Sequence, residues 1–351
     1  MSVMYRTLTA EESQDLRWEL HSSLPGSAKI YYVLSNHMDN LLTGFEVIVD
    51  QWPNWTCIML RPKSFESVPR YFRHYHMCHT KSTKDFKFFI QRPCVVDWTK
   101  PAIFTGIPYD VVPVIQDKSR KEYGEVTSVE HRFMYAWTKS DPPEPAVAPE
   151  GMQLTELKKE HAEMIRDHWK HYRANDGLVE YFQQVIEQFD NSAITTTDGE
   201  LVAYICMQYN GSMANLFVDP AYHTANLGVL LLRDLTRKLL EKHQTAYGFI
   251  KTKDSAFITT CQNIGFSWVP QGSMSWVNHK PRVPGSRSPL AKVPSANGLS
   301  TSQEEKDKQD GGDSELEVKD LFLTALPLSC NKCSGIPEEK RKGACIHVGT
   351  S

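Results

Sequence analysis

The sequence predicts an α/β (α+β) protein with two consecutive domains, a mixed and mostly antiparallel sheet flanked by helices, and a disordered C-terminal tail. Three observations support this prediction. At 351 residues the chain is long enough for about two domains and an extension. Its 40% hydrophobic content is sufficient to bury cores. Strand-like and amphipathic helix-like segments follow one another until the composition changes near residue 280.

A proline-rich segment separates the two predicted domains. Residues 139–151 read KSDPPEPAVAPEG, and these prolines stiffen the backbone and remove amide donors. We therefore assign residues 1–138 to a first domain, 139–151 to a linker and 152–279 to a second domain. Residues 280–351 are rich in proline, serine, glycine and charge, so we expect them to bury too little apolar surface to become ordered.

Charge and cysteine usage exclude several classes of protein. A net charge of -3 provides no field that would attract a phosphate backbone, so we expect no nucleic-acid partner. No apolar run reaches the roughly 18 residues that cross a bilayer, so we expect no membrane partner. The first residues lack the basic start and apolar stretch of a secretory signal. Cysteines placed singly among apolar residues indicate a reduced, intracellular protein.

The order of elements is predicted from hydrophobic spacing and turn residues. In the first domain we expect a helix at 11–22, a strand at 30–34, a hairpin of 44–50 with 57–60 around Trp52-Pro53-Asn54, and apolar segments at 86–90 and 129–137. In the second we expect helices at 161–172 and 178–189, a hairpin of 192–197 with 201–209 around Asp198-Gly199, a strand at 213–218, a helix at 229–241, a strand at 248–252, a helix at 255–263 and a closing segment at 267–277.

One segment of the second domain carries a recognisable chemistry. Residues 216–232 read LFVDPAYHTANLGVLLL, in which a strand ends at Pro220 and a leucine-rich helix follows. The first amides of a helix lack intrahelical partners and carry partial positive charge. A strand that leads into such a turn is therefore typical of a phosphate-binding site.

This segment resembles motif A of the GNAT acyltransferase superfamily. In that motif the loop reads Arg/Gln-Gly-x-Gly-x-Gly/Ala, and its amides hold the pyrophosphate of coenzyme A. The corresponding positions in this sequence are His223, Thr224, Ala225, Asn226, Leu227 and Gly228. The last glycine is retained, whereas His223 replaces the basic residue. Asn226 replaces the central glycine, and asparagine tolerates a left-handed backbone better than most residues.

Further segments resemble the glycine N-acyltransferase family. They read VDQWPNW (49–55), VVDW (95–98), HAEMIRDHW (161–169), DGELVAY (198–204) and SWVPQGSMSW (267–276). The resemblance implies two tandem GNAT-like domains and no permanently bound cofactor or metal. It also implies that an acyl-CoA thioester binds where two central strands part. The amine of glycine, or of another small amino acid, attacks it directly and gives an N-acyl amino acid and free CoA.

The resemblance also implies which residues form the site. The backbone of Leu216, Phe217 and Val218 and the loop from His223 to Gly228 would bind acyl-CoA, and Asp254 stands where an asparagine holds the pantetheine arm. The family's general-base glutamate corresponds to Ser212, and the superfamily's tyrosine acid corresponds to Cys261. Serine needs a base of its own, and a thiol is a poor acid toward a thiolate of similar pKa. These replacements predict slow or altered chemistry.

Several alternatives stay open at this stage. The chain can act on another amine, or it can be a pseudoenzyme that binds CoA or a partner protein. Two groups of metal-ligand residues have a spacing that fits no usual zinc site. We interpret HYHMCH at 74–79 as a partly exposed helix or loop of the first domain, and Cys330, Cys333, Cys345 and His347 as ordinary residues of the polar tail. The basic stripe Arg233, Arg237, Lys238 and Lys242 either meets a CoA phosphate or is a solvated helix face. The family suggests a mitochondrial monomer, with a cytoplasmic location as the alternative.

Overall fold

A computed structural model describes the backbone of residues 5–169 and 176–282, with the side chains of residues 224 and 225 left out. Most of the predicted tail, from residue 283 onward, lies outside the described residues, and so do Cys330, Cys333, Cys345 and His347. No helix in the described ranges combines the length and the apolar character that spanning a membrane requires.

The described chain contains eight α-helices and thirteen strands. The α-helices are α1 Ala10–His21, α2 Ala28–Met38, α3 Thr83–Phe89, α4 Val112–Lys121, α5 Ala162–His168, α6 Leu178–Gln188, α7 Leu227–Glu241 and α8 Ser255–Ile264. The strands are β1 Arg6–Thr7, β2 Phe45–Val49, β3 Cys57–Pro62, β4 Tyr75–Thr80, β5 Ala102–Ile107, β6 Gly124–Trp137, β7 Met152–Thr155, β8 Asn191–Thr196, β9 Leu201–Met207, β10 Met213–Val218, β11 Tyr247–Lys251, β12 Phe266–Trp268 and β13 Met274–Pro281.

The described strands form one continuous sheet. Its order is β1-β2-β3-β4-β5-β13-β6-β11-β10-β9-β8-β7, and the short β12 pairs with part of β6. Neighbours are antiparallel except for the parallel pairs β4–β5 and β10–β11. The mixed, mostly antiparallel sheet flanked by helices is therefore confirmed. The last strand, β13, lies between β5 and β6, so each predicted domain contributes a strand to the middle of the sheet. The domain boundaries stay a prediction.

The local sequence explains why these elements begin and turn where they do. Thr9 and Glu12 form a reciprocal capping box that satisfies amides at the start of α1. In the β2–β3 hairpin the Asp50 carboxylate accepts hydrogen bonds from the amides of Thr56 and Cys57, each at 2.9 Å, which confirms the predicted turn. Gly199 adopts φ +86 in the second predicted hairpin, a conformation that glycine adopts readily.

One predicted strand is a helix in the structure. Residues 30–34, which we expected to form a strand, lie inside the helix α2. Ile30, Val33 and Leu34 are buried at positions i, i+3 and i+4, which is the spacing of a helix face. A short apolar run fits either a strand or one face of a helix. Here it lies within a helix of 11 residues. The helix predicted at 229–241 also begins earlier, at Leu227.

The helices pack against the sheet in three core clusters. Helices α7 and α8 share one cluster with β6, β9, β10 and β11. Helices α3 and α4 share another with β3 and β5. Helices α1, α2, α5 and α6 contribute to a third, which combines residues from both halves of the chain. This shared core lets a helix of the first half support the site described next.

Candidate active site

The two central strands of the second half part from each other. The parallel strands β10 and β11 pair at Met213 and Gly248, near the start of each strand. Farther along, β10 stays paired with β9 through Val218, and β11 stays paired with β6 through Lys251. In the described backbone no further register pair joins β10 to β11. The carboxyl ends of these strands therefore border a gap, as the resemblance implied.

A β-bulge changes the backbone of β10 beside this gap. The register with β9 shifts between Ala214 and Phe217, and Asn215 has a φ of +54. A bulge leaves a residue out of the ladder and re-aims the backbone next to it. A left-handed conformation at a non-glycine residue persists only where its surroundings hold it. The bulge thus frees peptide groups of β10 at the level where the strands part.

A cavity of about 140 Å³ lies at this point of the sheet. Polar side chains from neighbouring strands and from the turn before β10 line it together with aromatic side chains. The polar lining residues are Ser128, Glu130, Arg132, Gln208, Asn210, Ser212 and Asn278, and the aromatic ones are Tyr71, Tyr75, Trp169, Tyr209, Phe249 and Trp276. The cavity combines a small volume with several convergent hydrogen-bonding groups, which is typical of a ligand site.

A second, larger cavity lies elsewhere. It has a volume of about 660 Å³ and is an open groove between the end of β3, the loop at 91–101 and α4. None of the site residues predicted from the sequence lines it. We assign the candidate site to the smaller cavity because it lies where the strands part and because Ser212 forms part of its wall.

Ser212 lies on a tightly held turn between β9 and β10. Its hydroxyl and its amide both donate to Oδ1 of Asn210, at 2.7 and 3.1 Å. The Asn36 side chain of α2 donates to the carbonyl of Tyr209 at 2.6 Å, and the hydroxyl of Tyr247 donates to the carbonyl of Asn210. Because the Ser212 proton is committed to an amide oxygen, this hydroxyl has no base to activate it and cannot itself act as one.

The turn also requires a glycine. Gly211 has a φ of +80, and a Cβ atom built there would lie 2.4 Å from Cγ of Tyr32. Tyr32 belongs to α2, and its hydroxyl accepts a hydrogen bond from the amide of Thr245 at 2.6 Å. The ring of Tyr32 therefore presses directly on the backbone next to Ser212.

The predicted proton donor is buried in an apolar pocket. Cys261 of α8 is 4% exposed and lines a small cavity of about 20 Å³ beside Met213 and Gly248. Burial raises the pKa of its thiol to about 12. At neutral pH Cys261 is therefore a protonated thiol that gives up its proton reluctantly. The structure places it beside β10 and β11 but not in the polar cavity.

Asp254 has a structural task. It is the N-cap of α8, and its Oδ1 accepts a hydrogen bond from the amide of Phe257 at 3.1 Å. Such a cap satisfies one of the free amides at the start of a helix. The contact with a pantetheine arm stays a prediction.

The strand-to-helix segment of motif A has the expected shape. A 3-10 turn at Pro220–Ala225 contains His223, Thr224 and Ala225. Asn226 then adopts a left-handed conformation with φ +53, and α7 begins at Leu227. The asparagine thus supplies the backbone conformation for which the family motif uses glycine.

Side chains of this segment pack on both sides of β10. Leu216 and Val218 belong to the core under α7, whereas the ring of Phe217 stacks on His168 of α5 at 3.8 Å between centroids. Gly228 faces β10, and a Cβ added there would meet Leu216 and Val218 at an ordinary 3.7 Å. Nε2 of His223 lies 3.0 Å from the carbonyl oxygen of Val218, so its ring lies against the end of the strand.

The basic stripe of α7 is largely engaged by acidic groups. Arg237 pairs with Glu241 at 3.1 Å, Lys238 with Asp234 at 3.1 Å, and Lys242 with Asp190 at 2.6 Å. This arrangement favours the interpretation as a solvated helix face. The histidine-rich run 74–79 forms most of β4 and not the helix or loop we expected. Among the described residues, no group of His, Cys, Asp and Glu is arranged to hold a metal ion.

Sequence reasoning missed Glu130 and Arg132 of β6. Arg132 is 2% exposed, its Nη2 contacts a carboxylate oxygen of Glu130, and its guanidinium lies 5.2 Å from the ring centre of Trp276. Ser128, Glu130 and Arg132 alternate along β6 and all line the cavity. Their spacing of two puts all three on one face of β6, but the neighbouring Thr127 and His131 are polar as well, so the sequence alone does not single out this face.

The chain is similar to known acyltransferases over most of its length. The family model for aralkyl acyl-CoA:amino acid N-acyltransferases matches residues 4–190. Glycine N-acyltransferase of Bos taurus is 20% identical over 292 residues, which are 78% of this chain and 98% of that protein. Glycine N-acyltransferase-like protein 2 of Homo sapiens is 21% identical over 283 residues, 76% of this chain and 95% of that protein.

A solved structure supports the fold. The X-ray structure of a Drosophila protein superimposes with a TM-score of 0.64 at 16% sequence identity, and the match covers 79% of this chain and 99% of that one. At this identity the similarity concerns the fold. The family model matches more than half of the chain and includes most of the helices and strands that precede β8. The chain therefore belongs to the aralkyl acyl-CoA:amino acid N-acyltransferase family, and it is an acyltransferase.

Proposed function

We propose that this protein transfers an acyl group from acyl-CoA to the amino group of glycine or another small amino acid. The observation that carries the proposal is the polar cavity at the parting of β10 and β11, with the bulge of β10 beside it. The gap gives the thioester a path into the sheet, and the cavity gives a small amine a place to meet it. The names of the relatives support glycine as the acceptor.

Each part of acyl-CoA has a proposed position. The pyrophosphate lies at the start of α7, where the amides from His223 to Gly228 bind it, and no metal or permanent cofactor takes part. The pantetheine arm runs between β10 and β11. The thioester carbonyl lies at the bulge, where the backbone near Leu216 to Val218 stabilises the oxyanion. Preorganised amides of this kind are worth about 10²–10³-fold in rate.

The reaction needs proton transfer but no covalent enzyme intermediate. The neutral amine attacks the thioester carbonyl, the C–N bond forms, and the C–S bond breaks to release CoA. The ammonium of the acceptor gives up two protons in all, one of which ends on the CoA thiol while the other passes to water or to a base. Positioning of the two substrates supplies a large share of the rate enhancement.

A direct assay tests this function. Purified protein is incubated with benzoyl-CoA or a longer acyl-CoA, with and without glycine, and free thiol and N-acylglycine are measured. We expect thiol release that depends on glycine and an equal amount of N-acylglycine. Thiol release without glycine, or transfer only to another class of amine, would contradict the proposal.

The weakness of the chemical groups at the expected positions favours a second candidate. Ser212 donates its proton to Asn210, and Cys261 is a buried thiol, so neither provides a ready base or acid. A catalytically impaired member that binds acyl-CoA or a partner protein fits these facts. Ser212→Glu tests the choice, with Ser212→Ala as its matched control. If the rate rises in Ser212→Glu and not in Ser212→Ala, the protein is an enzyme limited by its missing base. If both variants bind acyl-CoA without turnover, the impaired form is supported.

We propose a monomeric protein of the mitochondrion that conjugates amino acids. The family resemblance supports both the compartment and the reaction. Size-exclusion chromatography tests whether the protein is a monomer, and fractionation of cells that express the full chain tests whether it is mitochondrial. Recovery in the cytoplasmic fraction would support the alternative location.

A further inference from the structure

The inner wall of the cavity carries an unexpected pair of opposite charges. The strand β6 lies between β13 and β11 in the middle of the sheet, where side chains are usually apolar. On its cavity side it nevertheless presents Ser128, Glu130 and Arg132. Trp276 of β13 stands opposite Glu130, and Asn278 stands opposite Ser128. The cavity side of this strand pair therefore carries several polar side chains.

Arg132 lacks a complete set of hydrogen-bond partners. Its side chain is 2% exposed, and Nε is buried with no hydrogen-bond partner among the described residues. Its Nη2 contacts Glu130, and its guanidinium carbon lies 5.2 Å from the ring centre of Trp276. A buried donor without a partner costs free energy, more so on a charged group. The arrangement therefore points to a ligand that brings an acceptor.

A carboxylate is the ligand that fits this donor. The planar guanidinium presents its N–H groups in a fork that matches the two oxygens of a carboxylate. A cavity of about 140 Å³ admits only a small molecule; a cavity of ~150 Å³ in another protein holds benzene, with six heavy atoms. A small amino acid combines the required charge with the required size.

The position of Arg132 suits an acceptor better than an acyl donor. Ser212 and Ala214 of the β10 side border the same cavity, and the bulge beside the gap follows Ala214. A carboxylate held on β6 would leave the amino group of the same molecule free to reach toward β10.

We propose that Arg132 binds the carboxylate of the acceptor amino acid and makes the protein select amino acids over simple amines, with Glu130 as the positioning residue that orients the guanidinium. This inference rests on the proposed function because it names the acceptor site of that reaction. Glu130 contacts Nη2 of Arg132, and Nε has no hydrogen-bond partner among the described residues. The acyl group then lies toward the gap and outside this pocket.

Steady-state kinetics of matched variants test the proposal. Arg132→Met removes the charge, Arg132→Lys keeps it without the fork, and Glu130→Gln alters the positioning contact. Arg61→Lys is the control, since Arg61 is a half-buried strand arginine that is paired with Glu46 at 2.9 Å, away from the cavity. The measurements are KM for glycine, KM for acyl-CoA, and the ratio of rates with glycine and with glycinamide, which lacks the carboxylate.

The expected pattern is specific. Arg132→Met raises KM for glycine about 10–100-fold, the range for a lost hydrogen bond to a charged group, and leaves KM for acyl-CoA within about twofold. Arg132→Met also abolishes the preference for glycine over glycinamide. Arg132→Lys keeps part of the preference, Glu130→Gln has a smaller effect of the same kind, and Arg61→Lys behaves like the parent protein.

Other patterns would overturn the proposal. A rise in KM for acyl-CoA alone means that the acyl group occupies this cavity. Equal losses for glycine and glycinamide mean that Arg132 has a structural role. If Arg132→Met does not fold, the comparison of Arg132→Lys with Arg61→Lys decides the question by the same ratio.

A binding measurement separates this inference from the proposed function. Calorimetric titration with N-benzoylglycine and with its carboxamide needs no turnover. Tighter binding of the carboxylate that is lost in Arg132→Met, reduced in Arg132→Lys and kept in Arg61→Lys supports the site even if the parent protein transfers no acyl group. Equal binding of the two compounds contradicts the carboxylate site even if turnover with glycine is observed.

Discussion

Replacing Gly211 by alanine tests the contact that holds the turn before β10. Gly211 has φ +80, and an added Cβ would lie 2.4 to 2.8 Å from three atoms of the Tyr32 side chain. A left-handed backbone costs a residue with Cβ about 1–2 kcal/mol. Overpacking against a buried side chain adds about 1–3 kcal/mol. We therefore expect Gly211→Ala to lower the free energy of unfolding by about 2–5 kcal/mol.

A second glycine separates the two contributions. Gly199 has φ +86, but nothing lies within 4 Å of a Cβ added there. Gly199→Ala should therefore lower the free energy of unfolding only by the cost of the left-handed backbone, about 1–2 kcal/mol. Urea denaturation followed by circular dichroism measures both variants under the same conditions. If Gly211→Ala is no less stable than Gly199→Ala, Tyr32 does not press on this turn and the account of how α2 supports it is wrong.

Three further predictions concern charge and backbone. Burial lowers the pKa of Lys29 from 10.5 to about 8. Between these two pH values the unfolded state binds a proton that the folded state does not. The free energy of unfolding should therefore rise with pH in that window. Lys29→Met should remove this rise and stabilise the protein at pH 7 by about 3 kcal/mol in urea denaturation; an unchanged pH profile would contradict it. Burial also lowers the pKa of His76 and of His79 to about 4, so the unfolded state takes up protons first as the pH falls from 6.5 to 4. Stability should fall in that range and fall less when either histidine is replaced by asparagine, which urea midpoints at pH 7 and pH 5 will show. Asn226 has a left-handed backbone with φ +53, which glycine adopts readily and valine does not. Asn226→Gly should therefore keep the melting temperature, whereas Asn226→Val should lower it because the free energy of unfolding falls by about 1–2 kcal/mol. Equal melting temperatures of the two variants would argue against the left-handed turn.

Local patterns in the sequence predicted much of the fold. The Asp198-Gly199 hairpin, the strand before Pro220 and the helix after it follow from turn chemistry and hydrophobic spacing, which depend on neighbouring residues. The run at 30–34 was misread because a few apolar residues fit a strand as well as one face of a helix. Its helical state is settled by packing between the first and second halves of the chain.

The candidate site was predicted in part. The family motif located Ser212 and the start of α7, and the structure brings Ser212 to the cavity wall. Cys261 and Asp254 instead have surroundings that explain them as core thiol and helix cap. Glu130 and Arg132 could not be located because the pairing of β6 with β11 and β13 joins segments more than a hundred residues apart in sequence. The binding roles of the motif residues stay predictions.

The insertion of β13 between β5 and β6 has a consequence for biosynthesis. During translation β5 and β6 leave the ribosome long before their common neighbour, which is the last strand of the described chain. Until β13 arrives, both carry unpaired edges that invite wrong partners. A fragment that stops at the proline-rich segment is therefore expected to aggregate, and the nascent protein should depend on chaperones until nearly all of its sheet has been synthesised.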